Sequence, residues 1–280
     1  MLTEQGRERQ RRRLEYSQLA GMVHPDSPPE ALQVAADWFT WLSLNDDDCD
    51  ESQLGQDPMR MARMHRRYLA VLQGAAPTCA DDPFTHGLHD MRERILRYGT
   101  FDTLQAFTYR VEQYFLGIQW EADNRERALV PSPSLFQAMR THCGGSLTCF
   151  ELLPITDGID LPVDARNHAV VRQMAELAGK VISYCNDLFS LEKERRQGDV
   201  HNLVLVLRHA DQTSWQEALQ KAIEIHNALV NEFSELRRSL PSLGERADAE
   251  VARYADCLSR WIQGNLEFSR TAQRFASRTE

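Results

Sequence analysis

The sequence has few residues that interrupt helices, with 14 glycines and 11 prolines in 280 residues. Together with apolar residues at helical spacing, this scarcity indicates a chain made mostly of helices. No apolar run reaches the length of about 20 residues that spans a bilayer. The first residues, MLTEQGRERQRRRLEY, lack the apolar core of a secretion signal. We therefore expect a cytoplasmic protein without stable membrane insertion.

An excess of basic residues is also missing, because the formal net charge is −9. An acidic chain with scattered lysine and arginine is a poor candidate for binding nucleic acid or an anionic membrane. The six cysteines form no CxxC pair, and no spacing of histidine and cysteine suits zinc. We expect these cysteines to be ordinary thiols in a reducing compartment.

Helical periodicity divides the chain into ten predicted segments, several of which have 20–30 residues. These segments are 5–20, 29–46, 58–74, 84–98, 101–127, 133–156 (with a break at Gly144-Gly145), 165–196, 201–210, 214–240 and 247–278. No linker or internal repeat separates them, which predicts a single all-α domain over residues 1–280. Long helices of this kind form bundles whose cores can hold a ligand cavity.

Residues 45–51, NDDDCDE, form an acidic cluster at the end of a predicted apolar helix. Asp46 and Asp50 are four residues apart, so they lie on one face of a helix. Carboxylates at a helix C-terminus repel one another and oppose the helix dipole. Divalent cations bound through oxygen would relieve both costs. Taken alone, the cluster is explained equally well as a solvated acidic loop.

A row of oxygen-bearing side chains occurs in the segment 178–196. Asn186, Ser190 and Glu194 recur every four residues and lie along one face of a helix, together with Lys193. An amide oxygen, a hydroxyl and a carboxylate form a donor set that suits Mg²⁺. A solvent-facing polar stripe is the alternative, but such a stripe usually carries Glu/Lys pairs rather than residues of mediocre helix propensity.

Both patterns resemble motifs of a known family. DDDCD (residues 46–50) is similar to the aspartate-rich motif of class I terpene synthases. NDLFSLEKE (residues 186–194) is similar to their second metal-binding motif in its bacterial and fungal form. Arg140, which lies 46 residues before the second motif, occupies the place of the diphosphate-sensing arginine. Residues 261–275 resemble the last core helix, so the resemblance covers about residues 20–280.

The resemblance implies the class I terpenoid synthase fold, an all-α bundle around a deep apolar pocket with metal ions at its mouth. It also implies three Mg²⁺ ions, with Mn²⁺ as the alternative metal. Asp46 would bind two of these ions with Asp50 assisting, while Asn186, Ser190 and Glu194 would bind the third.

The substrate implied by the resemblance is a prenyl diphosphate, with farnesyl diphosphate expected first and geranyl and geranylgeranyl diphosphate left open. Arg140, Lys193 and Arg274 would donate hydrogen bonds to the diphosphate, and the carbonyl of Gly144 would lie beside the nascent cation. Departure of diphosphate builds negative charge on oxygen, which metal ions and fixed cationic donors stabilise. A homodimer stays open.

Aromatic faces can stabilise a carbocation without attacking it, in a pocket that excludes water. Phe39, on the face of Asp46, and Phe268 are the candidates for this role. Trp261, Phe268 and Phe275 recur every seven residues, and for Trp261 and Phe275 we expect ordinary core packing. Phe275 stands where the family has tyrosine. The arginines between residues 7 and 13 could cap the pocket, although a solvated helix face explains them better.

Other functions are less consistent with the residues. A chain-elongating prenyltransferase carries two aspartate-rich motifs, whereas the second motif here has Asn186 and Ser190. A head-to-head condensing synthase needs paired DxxxD motifs, which we do not find. A catalytically silent helical binding module is the alternative from a different class. The intact metal ligands argue against it, whereas Phe275 is a departure in its favour.

Overall fold

Helices account for the regular secondary structure of the residues that the structure describes. The computed structural model describes residues 4–51, 55 and 57–272, without the side chains of 4–13, 47, 50 and 51. Its helices are α1 (Glu4–Val23), α2 (Pro29–Glu51), α3 (Pro58–Leu72), α4 (Pro83–Tyr98), α5 (Phe101–Glu126), α6 (Pro133–Cys143), α7 (Ser146–Phe150), α8 (Leu153–Thr156), α9 (Val163–Asn167), α10 (Ala169–Gln197), α11 (Leu203–Asp211), α12 (Trp215–Arg238) and α13 (Glu245–Thr271). The predicted all-α fold is confirmed, since none of the described residues forms a β-strand.

Proline and a capping side chain begin α3, α4 and α6. Each has proline at the start of its first turn, where the missing N–H costs no hydrogen bond. The preceding residues, Asp57, Asp82 and Ser132, accept a hydrogen bond from a backbone N–H of that turn. The helix starts predicted beside Pro83 and Pro133 are therefore confirmed.

Three predicted segments that precede α13 differ clearly from the observed helices. The segment 133–156 divides into α6, α7 and α8, because Gly145 adopts a left-handed φ of 68° between the first two. The segment 165–196 is interrupted at His168, whose extended backbone and ring nitrogen cap α10. α2 continues to Glu51, so the acidic cluster lies in the last turns of the helix and does not follow it.

α10 is the helix around which the bundle is arranged. It packs against α6, α7, α11, α12 and α13, while α1 lies between α2 and α13. Aromatic rings fill the core beside α2, where Trp38 stacks on Trp41 at 5.1 Å and meets the edge of Phe107 at 4.7 Å. Burying a large apolar side chain stabilises the fold by about 1.5–3 kcal/mol. This core packs α2 against α5 through Trp38 and Phe107.

Two further observations concern the cysteines and the apolar character of the helices. All six cysteines are free thiols, and five of them are buried. Among the described helices, none combines the length and the apolar character needed to cross a membrane.

Candidate active site

A cavity of about 150 Å³ lies between α1, α2, α5, α6, α7, α10 and α13. Six residues that the sequence predicted for the site line it: Phe39, Asp46, Arg140, Gly144, Asn186 and Phe268. These residues come from four helices and one helix break that are far apart along the chain. The fold therefore brings most of the predicted site residues to one cavity, although Ser190, Lys193 and Glu194 are not part of its wall.

The break between α6 and α7 turns the chain beside this cavity. Gly145 has a φ of 68°, a conformation that side chains disfavour and glycine adopts freely. Gly144 packs so closely on α10 that a Cβ there would collide with Oγ of Ser183. Because of these two glycines, the chain turns sharply between the end of α6 and the start of α7. Arg140 and Ser146, on either side of this turn, therefore line the same cavity.

The second motif forms a row of oxygen-bearing side chains that can ligate a metal ion on one face of α10, as its spacing predicts. Ser190 Oγ donates a hydrogen bond to the backbone carbonyl of Asn186 at 2.7 Å, so the lone pairs of the hydroxyl remain available to a cation. Glu194 Oε2 accepts a hydrogen bond from Asn202 Nδ2 at 2.7 Å. Amide, hydroxyl and carboxylate oxygens are ligands of hard divalent cations, so this donor set fits Mg²⁺.

The environment of Glu194 disfavours its negative charge. Burial and the nearby carboxylate of Asp187 raise the pKa of Glu194 to about 7, against the opposing effect of Arg140. The hydrogen bond from Asn202 compensates only part of this cost. A divalent cation beside Glu194 would favour the ionised carboxylate, so the electrostatics agree with the donor chemistry of the motif.

Arg140 and Asp187 form a buried ion pair next to the second motif. Arg140 donates through Nε and Nη2 to Asp187 Oδ1, at 2.9 and 2.6 Å. Burial alone would lower the pKa of Arg140, but the charge and hydrogen bonds of Asp187 raise it well above its usual value. Arg140 Nη2 also lies 3.4 Å from Oδ1 of Asn186. The guanidinium is thus held, permanently charged, at the cavity wall.

The aspartate-rich motif approaches the cavity from α2. Asp46 lines the cavity wall. Its neighbour Asn45 is buried and donates to the hydroxyl of Tyr114 at 3.3 Å, which ties this end of α2 to α5. The side chains of Asp47 and Asp50 lie outside the described residues. Within the described part of the chain, no cluster of three or more His, Cys, Asp or Glu side chains could hold a metal ion.

Aromatic rings form one wall of the cavity. Phe39 and Phe268 line it as predicted, and both are nearly completely buried. Trp261 belongs to the buried core, as expected, and meets Phe39 edge-on at 5.0 Å, but it also lines the cavity. Helical spacing shows that Trp261 faces inward, but it does not distinguish packed core from cavity wall.

Sequence reasoning did not assign a role to several polar groups near the site. Asp187 belongs to the second motif, but only the fold shows that it holds Arg140. Behind the aromatic wall, buried His24 contacts Trp261 edge-on at 5.6 Å and places Nδ1 2.7 Å from Asp157 Oδ2. Arg140 and Asp187 are 47 residues apart in the sequence, and His24 and Asp157 are 133 residues apart, so no local pattern could have identified these contacts.

Some predicted site residues cannot be placed. Arg274 and Phe275 lie outside the described residues, as do the side chains of the arginines between residues 7 and 13. α13 ends at Thr271, and Ala272 has extended backbone, whereas the sequence predicted a helix through 278. The roles predicted for Arg274 and Phe275 stay predictions.

Comparisons with known proteins agree with the motifs and the geometry. Residues 37–232 match the family model described as "Terpene synthase family 2, C-terminal metal binding". (+)-T-muurolol synthase ((2E,6E)-farnesyl diphosphate cyclizing) from Roseiflexus castenholzii is 38% identical over 265 residues, which cover 95% of this chain and 81% of that protein. Germacrene A synthase from Nostoc punctiforme is 33% identical over 257 residues, 92% of this chain and 80% of that protein. The crystal structure of germacradien-4-ol synthase from Streptomyces citricolor superposes with a TM-score of 0.80 and 26% identity, covering 90% of this chain and 82% of that one.

These similarities extend over nearly the whole chain. The family model matches more than half of it, and both curated relatives exceed 30% identity over more than nine-tenths of it. The description of the model includes metal binding, which implies that activity depends on divalent metal ions. The chain therefore belongs to the terpene synthase family, the enzymes that ionise a prenyl diphosphate and cyclise the carbocation that remains.

Proposed function

We propose that this chain is a Mg²⁺-dependent sesquiterpene synthase that ionises farnesyl diphosphate and cyclises the farnesyl cation. The observation that carries the proposal is the meeting of Asp46, Arg140 and Asn186 at one cavity whose other wall is aromatic. The choice of farnesyl diphosphate is supported by the relative from Roseiflexus castenholzii, whose name describes it as cyclizing that substrate.

Three Mg²⁺ ions are proposed at the cavity mouth. Asn186, Ser190 and Glu194 would hold one ion, and Asp46 with Asp50 would hold two. When bound, the ions neutralise the diphosphate and stabilise the charge that builds on its oxygens. The oxygen-only donor set on α10 and the raised pKa of Glu194 support this assignment.

The cationic side chains orient the diphosphate and receive its developing charge. Asp187 holds the guanidinium of Arg140 in one plane, and Arg140 then presents its remaining N–H groups to the diphosphate as a fork. As the C–O bond breaks, its electron pair stays on the diphosphate oxygen, where donors fixed in advance stabilise it most. Lys193 and Arg274 are proposed as further donors to the same group.

The inner part of the cavity is proposed to shape the cation. Phe39, Trp261 and Phe268 line this space, and a ring face beside a desolvated cation stabilises it by about 2 kcal/mol. The carbonyl of Gly144 at the helix break is proposed to lie beside the cation when it forms. Apolar walls also exclude bulk water, which would otherwise quench the cation before cyclisation.

The test is incubation of the purified chain with geranyl, farnesyl and geranylgeranyl diphosphate in the presence of Mg²⁺. Released diphosphate is measured, and the products are identified by gas chromatography with mass spectrometry. We expect cyclic C15 products from farnesyl diphosphate and slower turnover of the other two substrates. Adding isopentenyl diphosphate tests chain elongation, and a longer prenyl diphosphate as the main product would overturn the proposal. Absence of diphosphate release from all three substrates would leave the silent binding module as the better explanation.

A further inference from the structure

Two buried serine hydroxyls face the cavity on either side of the break between α6 and α7. Ser146 begins α7 and is 4% exposed, while Ser183 lies in α10 and is 2% exposed. Both side chains line the cavity, and neither oxygen has a hydrogen-bond partner within the described residues. Leaving a buried hydroxyl without a partner costs about 1–3 kcal/mol, so a partner that enters the cavity would be strongly favoured.

Both hydroxyls lie where α10 packs against the break between α6 and α7. A Cβ on Gly179 would lie 3.3 Å from Ser146 Oγ, which places this oxygen against α10 at Gly179. Ser183 is one turn further along the same face of α10. A Cβ on Gly144 would collide with Ser183 Oγ, so the two oxygens flank the same helix break and can bind one water molecule that enters there.

The cavity has room for this water. A water molecule needs about 10–15 Å³ of cavity volume and between two and four polar partners, and the cavity volume of about 150 Å³ is ample. Phe39, Leu42 and Ile182 make much of the remaining wall apolar. Ser43 Oγ, on α2, and Trp261 Nε1, on α13, are further buried polar atoms of lining residues without a partner within the described residues.

We propose that Ser146 and Ser183 hold one water molecule beside the helix break, and that this water adds to the carbocation, so that the main product is a terpene alcohol. This inference rests on the proposed function, because it needs a carbocation in this cavity. It assigns a product class to the site and a role to two residues that the motifs do not include.

The proposed step balances in atoms and electrons. The serine oxygens accept hydrogen bonds from the water protons, which leaves a lone pair of the water facing the cavity. That lone pair forms the new C–O bond to the cationic carbon. One O–H bond of the resulting oxonium then breaks, and its proton passes to the diphosphate that the ionisation has released. A prenyl diphosphate and water are consumed, and an alcohol and protonated diphosphate are formed.

The first test is incubation of the wild-type enzyme with farnesyl diphosphate in water enriched in oxygen-18. We expect the main product to be an alcohol that carries the label. A hydrocarbon as the main product, formed together with released diphosphate, would overturn the inference and leave the proposed function intact. Absence of diphosphate release would instead be a failure of the proposed function itself.

The second test uses Ser146→Ala, Ser183→Ala and the double variant, with Ser269→Ala as the matched control. Ser269 is equally buried, at 3% exposure, but does not line the cavity. The alcohol-to-hydrocarbon ratio is measured per diphosphate released, so a general loss of activity does not affect the comparison. We expect this ratio to fall about tenfold in the double variant, as the loss of one or two hydrogen bonds to the water would produce.

The control Ser269→Ala should keep the wild-type ratio. An unchanged ratio in the double variant would overturn the role of these serines, as would an equal change in the control. Removing a hydroxyl that has no partner should not impair folding. Thermal melts check this point, and the oxygen-18 experiment tests the inference without any variant.

Discussion

The guanidinium of Arg140 is held by the carboxylate of Asp187, with Nη2 2.6 Å and Nε 2.9 Å from Oδ1. The other carboxylate oxygen, Oδ2, accepts the backbone N–H of Leu203 at 3.0 Å, which ties the pair to the start of α11. Asp187 is fully buried and Arg140 is 9% exposed. One contact therefore joins three helices and also orients the group that we propose as a donor to the diphosphate.

Asp187→Asn should lower the free energy of unfolding substantially. Removing one charge of a buried pair leaves the other uncompensated and typically costs about 3–5 kcal/mol. The loss is measured by urea denaturation at neutral pH. Asp160→Asn removes a carboxylate from an exposed pair with Arg246 and should have little effect. Similar losses in both variants would show that burial does not set the strength of the Arg140 contact.

Arg140→Lys should reduce kcat/KM by at least about 100-fold, the effect of removing one donor aimed at developing charge. Lysine keeps the positive charge but cannot form the planar fork that bridges Asp187 and the diphosphate. Steady-state assays of diphosphate release measure the change. Arg246→Lys, at the exposed pair, is the control and should keep wild-type kinetics. If Arg140→Lys also does so, Arg140 does not act on the diphosphate.

Removal of metal ions should abolish activity, and the donor row on α10 should be required for metal binding. Excess EDTA should stop turnover, and Asn186→Ala or Asp46→Ala should reduce it by orders of magnitude while the chain remains folded. Mg²⁺ with inorganic diphosphate should raise the melting temperature of the wild type, and Asn186→Ala should lose much of this increase. Asn227→Ala, at an exposed position on α12, should keep it. Full activity in EDTA would contradict the metal assignment.

Phe268→Leu should change the products more than the rate of ionisation. Phe268 lines the cavity and packs on Tyr16 with ring centroids 5.6 Å apart. Losing a cation–π contact of about 2 kcal/mol is enough to redirect the partitioning between cyclisation branches, since about 1.4 kcal/mol is a factor of ten. We expect diphosphate release within about tenfold of wild type, with more acyclic or less cyclised products.

The matched control for this prediction is Phe107→Leu. Phe107 is completely buried against Trp38 but does not line the cavity. It should lose stability in a thermal melt and keep the wild-type product profile. An unchanged profile in Phe268→Leu would mean that this ring serves only in packing.

His65 should make the fold less stable as the pH falls below about 6.5. Burial lowers the pKa of His65 to about 3, whereas the unfolded chain has a pKa near 6.5. Between these values the unfolded state binds a proton that the native state does not, so stability falls as pH falls, by about 1.4 kcal/mol per unit. Above pH ~6.5 His65 is neutral in both the native and the unfolded state, so it no longer lowers the free energy of unfolding there.

The variant His65→Gln isolates this effect, because Gln119 lies 2.8 Å from His65 Nδ1 and can bond a glutamine instead. Urea denaturation at pH 7 and pH 5 measures both proteins. The wild type should lose about 2 kcal/mol more than His65→Gln between these pH values. Equal losses would show that His65 is protonated in the native state as readily as in the unfolded chain.

Local patterns explain why much of the fold was predictable. Pro83 and Pro133 favour the start of a helix through a local effect, because the missing N–H of proline costs no hydrogen bond in the first turn. The four-residue spacing of Asn186, Ser190 and Glu194 puts them on one helix face in the same way. The prediction that Trp261 packs in the core is confirmed, but its place in the cavity wall was not predicted, since spacing identifies a buried face and not what that face contacts.

The sequence by itself determined most of the helices, the oxygen-rich row on α10 and the motifs that resemble those of terpene synthases, because each of these depends on residues within a few turns of one another. Only the tertiary structure decided which groups share the cavity. Arg140 meets Asp187, and Ser146 faces the same space as Ser183, through the packing of α6 and α7 on α10. Such contacts depend on how side chains of distant helices fill the space between them, which no local pattern of residues specifies.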